Sequence, residues 1–105
     1  MTKITEIYRA GELIGFSVEG HSGYSIPGRD IVCAAVSTLT INTINSIREL
    51  TCMEVDVLED DEGRIQYTVQ LKPGTISSTL LKAARIGYKS IAEQYPENVS
   101  YTERR

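Results

Sequence analysis

The stretch that decides the fold is residues 13–50, LIGFSVEGHSGYSIPGRDIVCAAVSTLTINTINSIREL. Its first part, Leu13 to Glu19, alternates between two faces, which is typical of a half-buried strand. One face carries Ile14, Phe16 and Val18. Three glycines and a proline between positions 20 and 29 then predict a loop, because these residues interrupt regular structure. A strand, a loop and a helix therefore follow one another here.

The helix is predicted to begin after Asp30, whose carboxylate can accept an unpaired amide of the first turn. From Ile31 to about Leu50, apolar residues recur at spacings of three and four. One face holds Val32, Ala35, Val36, Leu39, Thr43, Ile47 and Leu50. A second apolar group consists of Ile31, Ala34, Ile41 and Ile44. We expect such a helix to be covered on two sides, by a sheet and by either a second helix or another subunit.

Strand patterns flank this unit on both sides. Lys3 to Arg9 is predicted to pair with the first strand through a tight turn at Gly11-Glu12. After the helix, Met53 to Val57 and Ile65 to Leu71 alternate around the turn 60–63, which predicts a second hairpin.

A second helix is predicted from near Thr75 to Pro96, and Val99 and Tyr101 suggest a last strand. The buried stripe of this helix is expected to comprise Ile76, Leu80, Ala84, Gly87, Ile91 and Tyr95. The order ββαββαβ predicts an α+β two-layer sandwich, with a mostly antiparallel sheet and two helices, as a single domain over residues 1–105.

Composition narrows the classes of function. The formal net charge of -3 offers no basic surface for a phosphate backbone, so nucleic-acid binding is disfavoured. No apolar run approaches the ~20 residues of a membrane span, and the N-terminus lacks a signal pattern. We therefore expect a cytosolic protein with reduced thiols. One histidine and two cysteines are too few for a four-ligand zinc site, and no cofactor is expected.

The residue with the clearest chemistry is Cys33, at the third position of the predicted helix. Unpaired amides and the partial positive charge of a helix N-terminus favour a thiolate there. First-turn amides, including that of Cys33, are natural oxyanion donors. His21, the only histidine, lies twelve residues earlier at the exit of a strand and could meet Cys33 at one edge of the sheet. Position alone leaves another interpretation open, in which Cys33 is a small core residue and His21 an ordinary loop residue.

A family resemblance favours the catalytic interpretation. The residues Gly20-His21-Ser22-Gly23-Tyr24, then Gly28, then the run from Asp30 to Ser37, DIVCAAVS, resemble the ribosomal-processing cysteine proteases of the Prp family. Ser22 stands where alanine is commoner in that family, which is a small departure.

The resemblance implies that Cys33 is the nucleophile and His21 the general base. It also implies a homodimer that removes the N-terminal extension of a large-subunit ribosomal protein (the bacterial L27 type), cutting after a hydrophobic stretch that ends in phenylalanines. A further implication is a mobile loop between His21 and Cys33 that orders when peptide binds, for which its glycines give independent support.

Smaller predictions concern the neighbours of this pair. Asp30 is predicted to cap the helix rather than to orient His21. Ser37 either bonds the sulfur or the loop backbone, or bonds back within the helix. Gly20, Gly23 and Gly28 are expected to serve loop geometry, while Tyr24, Ile26 and Pro27 either cover an apolar peptide or pack locally. Cys52 is expected to be buried and inert, and the acidic run 59–62 to be a solvated turn.

Two other functions compete with proteolysis. A non-catalytic ribosome-assembly adaptor would hold a peptide without cutting it, but would not require a cysteine at a helix N-terminus. A redox-sensing thiol would need a resolving partner. Cys52 lies nineteen residues beyond Cys33, about 28 Å along a straight helix, which makes that partner implausible.

Overall fold

A computed structural model describes residues 1–20 and 30–103 of the chain. In these residues it confirms the predicted order of two hairpins, two helices and a last strand. The strands are β1 (Thr2–Arg9), β2 (Glu12–Glu19), β3 (Val55–Glu59), β4 (Ile65–Val69) and β5 (Val99–Thr102), and the helices are α1 (Ile31–Leu50) and α2 (Thr75–Gln94).

The strands form one sheet in the order β3-β4-β2-β1-β5. Every neighbouring pair is antiparallel except β1 and β5, which run parallel, so the mostly antiparallel sheet is confirmed. The predicted β1–β2 turn is wrong by one residue, because the chain reverses at Ala10-Gly11. Both residues have positive φ, 52° and 79°, as a two-residue hairpin turn of the right twist requires. Glu12 therefore begins β2.

The helices pack on each other and on one face of the sheet. They approach closely at Gly87, where an added Cβ would lie 2.6 Å from Leu39 Cδ2. The first helix buries Thr40 but exposes Ala35 and Leu50, contrary to the predicted face. Its second apolar group is divided, since Ile44 is buried while Ile31, Ala34 and Ile41 are exposed.

The predicted stripe of the second helix is also partly wrong. Ile76 is 56% exposed, whereas Leu81 and Tyr88 are fully buried beside Ala84. The predicted Leu80, Ile91 and Tyr95 are partly buried and pack against the core, beside this fully buried face. Tyr88 is buried because its hydroxyl finds partners in the core. Its OH lies 2.8 Å from that of Tyr67 and 2.7 Å from Thr40 Oγ1. Burial raises the pKa of both tyrosines.

A buried carboxylate ties the last helix and strand to β1. Glu6, only 1% exposed, accepts hydrogen bonds from Arg85 Nε at 2.9 Å and from the hydroxyls of Tyr8 and Tyr101. Arg85 compensates the charge that burial would otherwise penalise. In the described part of the chain, neither helix is both long and apolar enough to cross a membrane.

Candidate active site

Cys33 is the third residue of α1, as predicted, and its side chain is half-buried. Asp30 has extended backbone angles and is the N-cap. Its Oδ1 accepts the amide of Cys33 at 2.8 Å, and its carbonyl accepts the amide of Ala34 at 3.0 Å. The capping prediction is thus confirmed. The Asp30 carboxylate is directed into the backbone, so a thiol is presented at the positive end of a 20-residue helix.

This cap corrects the expected oxyanion donors. The amide of Cys33 is occupied by Asp30, so it is not a free donor. The amides of Ile31 and Val32, the first two helical residues, have no intrahelical acceptor, because no carbonyl lies four residues before them within the helix. These two amides are therefore the donors that the first turn offers.

The strand that leads toward the histidine has its own constraint. Directly after β2, Gly20 has φ 83°, and a Cβ there would lie 2.5 Å from the carbonyl oxygen of Met1. Only glycine satisfies both the positive φ and this close approach. The chain therefore passes the start of β1 immediately before His21.

Several predicted site residues lie outside the described residues. They are His21, Ser22, Gly23, Tyr24, Ile26, Pro27 and Gly28. The structure describes the nucleophile candidate and the strand end at Gly20, and the meeting of His21 with Cys33 stays a prediction.

Two further predictions concern polar groups near the helix. Ser37 is exposed one turn beyond Cys33, and among the described residues its hydroxyl bonds neither the Cys33 sulfur nor a helix carbonyl. The loop backbone, its other predicted partner, lies outside the described residues. Cys52 is exposed, not buried as predicted, because α1 ends at Leu50 and Thr51 caps it, which leaves Cys52 in the surface turn before β3. Both cysteines are free thiols. Among residues 1–20 and 30–103, no cluster of three metal-ligating side chains exists.

Two cavities lie at opposite ends of β2. One of about 340 Å³ is lined by Glu19 and Gly20 together with residues of the β3–β4 turn and of β1. A larger one of about 740 Å³ is lined by Glu6, Arg85 and the Ala10-Gly11 turn, at the opposite end of β2. The smaller cavity adjoins the strand end at Gly20, the residue before His21.

The cap can be separated from a catalytic role by two substitutions. If Asp30 acts only as a cap, Asp30→Asn preserves stability and the peptide cleavage that the family resemblance implies, since asparagine caps equally well. Asp30→Ala then costs about 1 kcal/mol of unfolding free energy. Urea unfolding and cleavage rates measured on the same samples check this. A loss of 100-fold or more in cleavage by a fully stable Asp30→Asn variant would instead assign Asp30 to orienting His21.

Fold and site together define a small α+β protein with a thiol at a helix N-terminus, an arrangement suited to nucleophilic catalysis by cysteine. The sequence profile of the family described as Cysteine protease Prp matches residues 1–100. The chain belongs to this family of cysteine proteases, as the resemblance predicted.

Relatives support this membership. The protein named ribosomal processing cysteine protease Prp in Staphylococcus aureus is 28% identical over 90 residues, covering 85% of each chain. A crystal structure of the S. aureus Prp with a covalently linked product peptide has a similar fold, with a TM-score of 0.91 at 24% identity over 99% of this chain and 100% of that one. A Streptococcus mutans crystal structure reaches 0.85 at 32% identity, over 98% and 93% of the two chains.

Proposed function

We propose that this protein is an endopeptidase that removes the N-terminal extension of a large-subunit ribosomal protein precursor, ribosomal protein L27, in the cytosol. Cys33 is the nucleophile and His21 the general base. The observation that carries this assignment is the position of Cys33 in the first turn of α1, with Asp30 bonded to its amide. The name of the S. aureus relative supports ribosomal processing.

The chemistry follows from the helix N-terminus. His21 takes the thiol proton, and the thiolate, stabilised by the partial positive charge of α1, attacks the scissile carbonyl carbon. The Ile31 and Val32 amides donate to the oxyanion that forms. Collapse of this intermediate breaks the peptide C–N bond, and His21 returns the proton to the departing amine. Water then hydrolyses the thioester, releasing the leader and restoring the thiol.

Specificity in this proposal resides in the segment between the strand and the helix. Tyr24, Ile26 and Pro27 contact the apolar leader, and the substrate is cut after its terminal phenylalanines. Gly20, with its positive φ and its contact with Met1, sets the direction in which this segment begins. Ser22, Gly23, Gly28 and Ser37 belong to the same proposed peptide-binding region.

A cleavage assay tests this function. The protein is incubated with a peptide that joins a Leu/Phe-rich leader to the following residues, and products are identified by mass spectrometry. We expect one cut after the phenylalanines. Binding of the peptide without any cut would favour the adaptor instead.

Thiol reactivity provides an internal comparison, because the chain carries a second free cysteine. Under iodoacetamide at pH 7, Cys33 should be alkylated faster than the exposed Cys52. The greater exposure of Cys52 works against this outcome, so a faster Cys33 reports activation rather than access. Equal or slower modification of Cys33 would contradict an activated thiol.

The proposed enzyme is a homodimer that uses the outer side of α1. Ile31 and Ile41 are 57% and 55% exposed on this helix, and Ala34 is exposed between them. Burial in a subunit interface removes this apolar stripe from water. Sedimentation equilibrium of Ile41→Glu tests the interface, with Leu71→Glu, a 70% exposed residue outside both helices, as the matched control.

A further inference from the structure

The segment 54–62, which we call the acidic edge, carries an unusual concentration of charge. Its sequence, EVDVLEDDE, holds six of the fourteen acidic residues of the chain and no basic one. All six acidic side chains are exposed, and none forms an ion pair within the described part of the molecule. Asp56 and Asp60 accept hydrogen bonds within the fold, from Gln70 Nε2 at 2.8 Å and from the turn amides of Glu62 and Arg64 at 2.9 and 3.0 Å. Packing of the described residues does not account for the other four carboxylates.

The same segment contains an edge of the sheet. Among residues 1–20 and 30–103, the third strand pairs only with β4. Hydrogen bonds join Glu54 to Gln70 and Asp60 to Arg64 at the two ends of this ladder. Because bonded and non-bonded pairs alternate in an antiparallel ladder, the backbone groups of residues 55, 57 and 59 point away from β4. Arg48 Nη2 covers the carbonyl of residue 55 at 3.1 Å.

The outward backbone groups of residues 57 and 59 are not covered by Arg48, and apolar and acidic side chains surround them. Val57 is 36% and Leu58 65% exposed, and they stand between Asp56 and Glu59. An unpaired edge with exposed apolar side chains is a template for an added strand, and lysine or proline normally blocks such edges. Neither residue occurs in the acidic edge.

We propose that the acidic edge binds an extended Lys/Arg-rich peptide segment, which adds to β3 as a sixth strand. This rests on the proposed function, since the segment is the part of the ribosomal-protein precursor that follows the leader. Proteins that contact RNA backbone carry clustered Lys and Arg. Backbone bonds to residues 57 and 59 supply the pairing, and the six carboxylates supply the charge preference.

The edge lies beside the strand end at Gly20, which fits one continuous substrate. The cavity of about 340 Å³ is lined by Gly20, the residue before His21, and by Asp60 and Glu62 of the acidic edge. The rest of its wall consists of Met1, Lys3, Glu19 and Arg64. The five residues of β3 extend about 17 Å from that point. A second copy of the chain is disfavoured as the occupant, because two acidic edges repel each other.

Binding is measured with a cleavage-deficient protein so that the result does not depend on catalysis. A fluorescent Lys-rich peptide is titrated into Cys33→Ala at 50 mM NaCl, with and without Asp56→Lys and Glu59→Lys together. We expect at least a 10-fold weaker Kd from the charge reversal. The matched control, Glu93→Lys with Glu97→Lys on exposed acids elsewhere, should change Kd less than 2-fold. Equal weakening by both pairs, or none, overturns the proposal.

Strand addition is tested separately from charge. Val57→Pro removes an outward backbone donor without breaking a ladder bond, and should weaken Kd at least 10-fold. A peptide N-methylated at alternate residues keeps its charge and should lose affinity in one of its two registers, whether or not Val57→Pro folds. Undiminished binding in both registers overturns strand addition. A change of oligomeric state on charge reversal assigns the edge to a second copy instead.

Wild-type cleavage separates this proposal from the function on which it rests. With an active enzyme, charge reversal should raise KM for a long substrate that joins the leader to a basic segment. Cleavage of a control substrate that joins the same leader to neutral residues should stay unchanged. Cleavage of the neutral substrate together with no effect on the basic one overturns the acidic edge alone. Failure to cleave either substrate counts against the protease assignment, while the binding titration still decides the edge.

Discussion

Cys33→Ala is expected to abolish cleavage of the leader peptide, with a loss of about 10³-fold or more in kcat/KM. The substitution removes the atom that forms the covalent intermediate, and no other group of the first turn can replace it. It should leave the fold intact, because Asp30 accepts the backbone amide of residue 33 and not its side chain. The measurement is product formation by mass spectrometry, with circular dichroism on the same preparation.

The matched control is Cys52→Ala. This thiol is exposed and lies beyond the capped end of α1, so its removal should change kcat/KM less than 2-fold. Cys33→Ser is a second control, since it keeps shape and hydrogen bonding but offers a far weaker nucleophile at neutral pH. Activity retained by Cys33→Ala, or lost equally in Cys52→Ala, would contradict the assignment of Cys33.

The elements of the fold were predictable because local chemistry specifies them. Asp30 caps the start of α1 with a side-chain acceptor, and Pro96 follows the end of α2. Both helices therefore begin and end close to where the sequence predicts. Alternation of period two placed the hairpin of β3 and β4. These signals need no knowledge of distant residues.

Which helical face is buried depended on contacts far apart in sequence. The stripes through Ile76 and through Leu81 both satisfy helical periodicity, and the second is selected by tertiary partners. Tyr88 enters the core because Thr40 and Tyr67 pair its hydroxyl from other elements. The position of Cys52 depended on the helix ending two residues before it.

For the candidate site, the sequence predicted the cap at Asp30 but not its consequence. The carboxylate takes the amide of Cys33, which leaves the amides of Ile31 and Val32 as the proposed oxyanion donors. Backbone geometry of this kind cannot be deduced from residue spacing alone. The pairing of His21 with Cys33 rests on the family resemblance.

The second strand leads toward the candidate site, and its packing requires a glycine at position 15. The alternation of apolar and polar residues in the sequence does not reveal this requirement. Gly15 lies opposite Thr68 in the β2–β4 ladder, where an added Cβ would stand 1.8 Å from the carbonyl oxygen of Tyr67. Ordinary contact begins near 3.4 Å, so the strands would have to separate. The atom that blocks is backbone and cannot rotate away as a side chain would.

Gly15→Ala is therefore expected to lower the free energy of unfolding by about 3 kcal/mol or more, a large share of the stability of a small domain. Gly74→Ala is the matched control, because nothing lies within 4 Å of its added Cβ and its φ is negative, so its cost should stay below about 1 kcal/mol. Urea unfolding of both variants measures the difference. Equal stability would show that β2 and β4 can part without loss. Gly15→Ala should also lose more cleavage activity than its unfolded fraction accounts for, because β2 ends at the residue before Gly20.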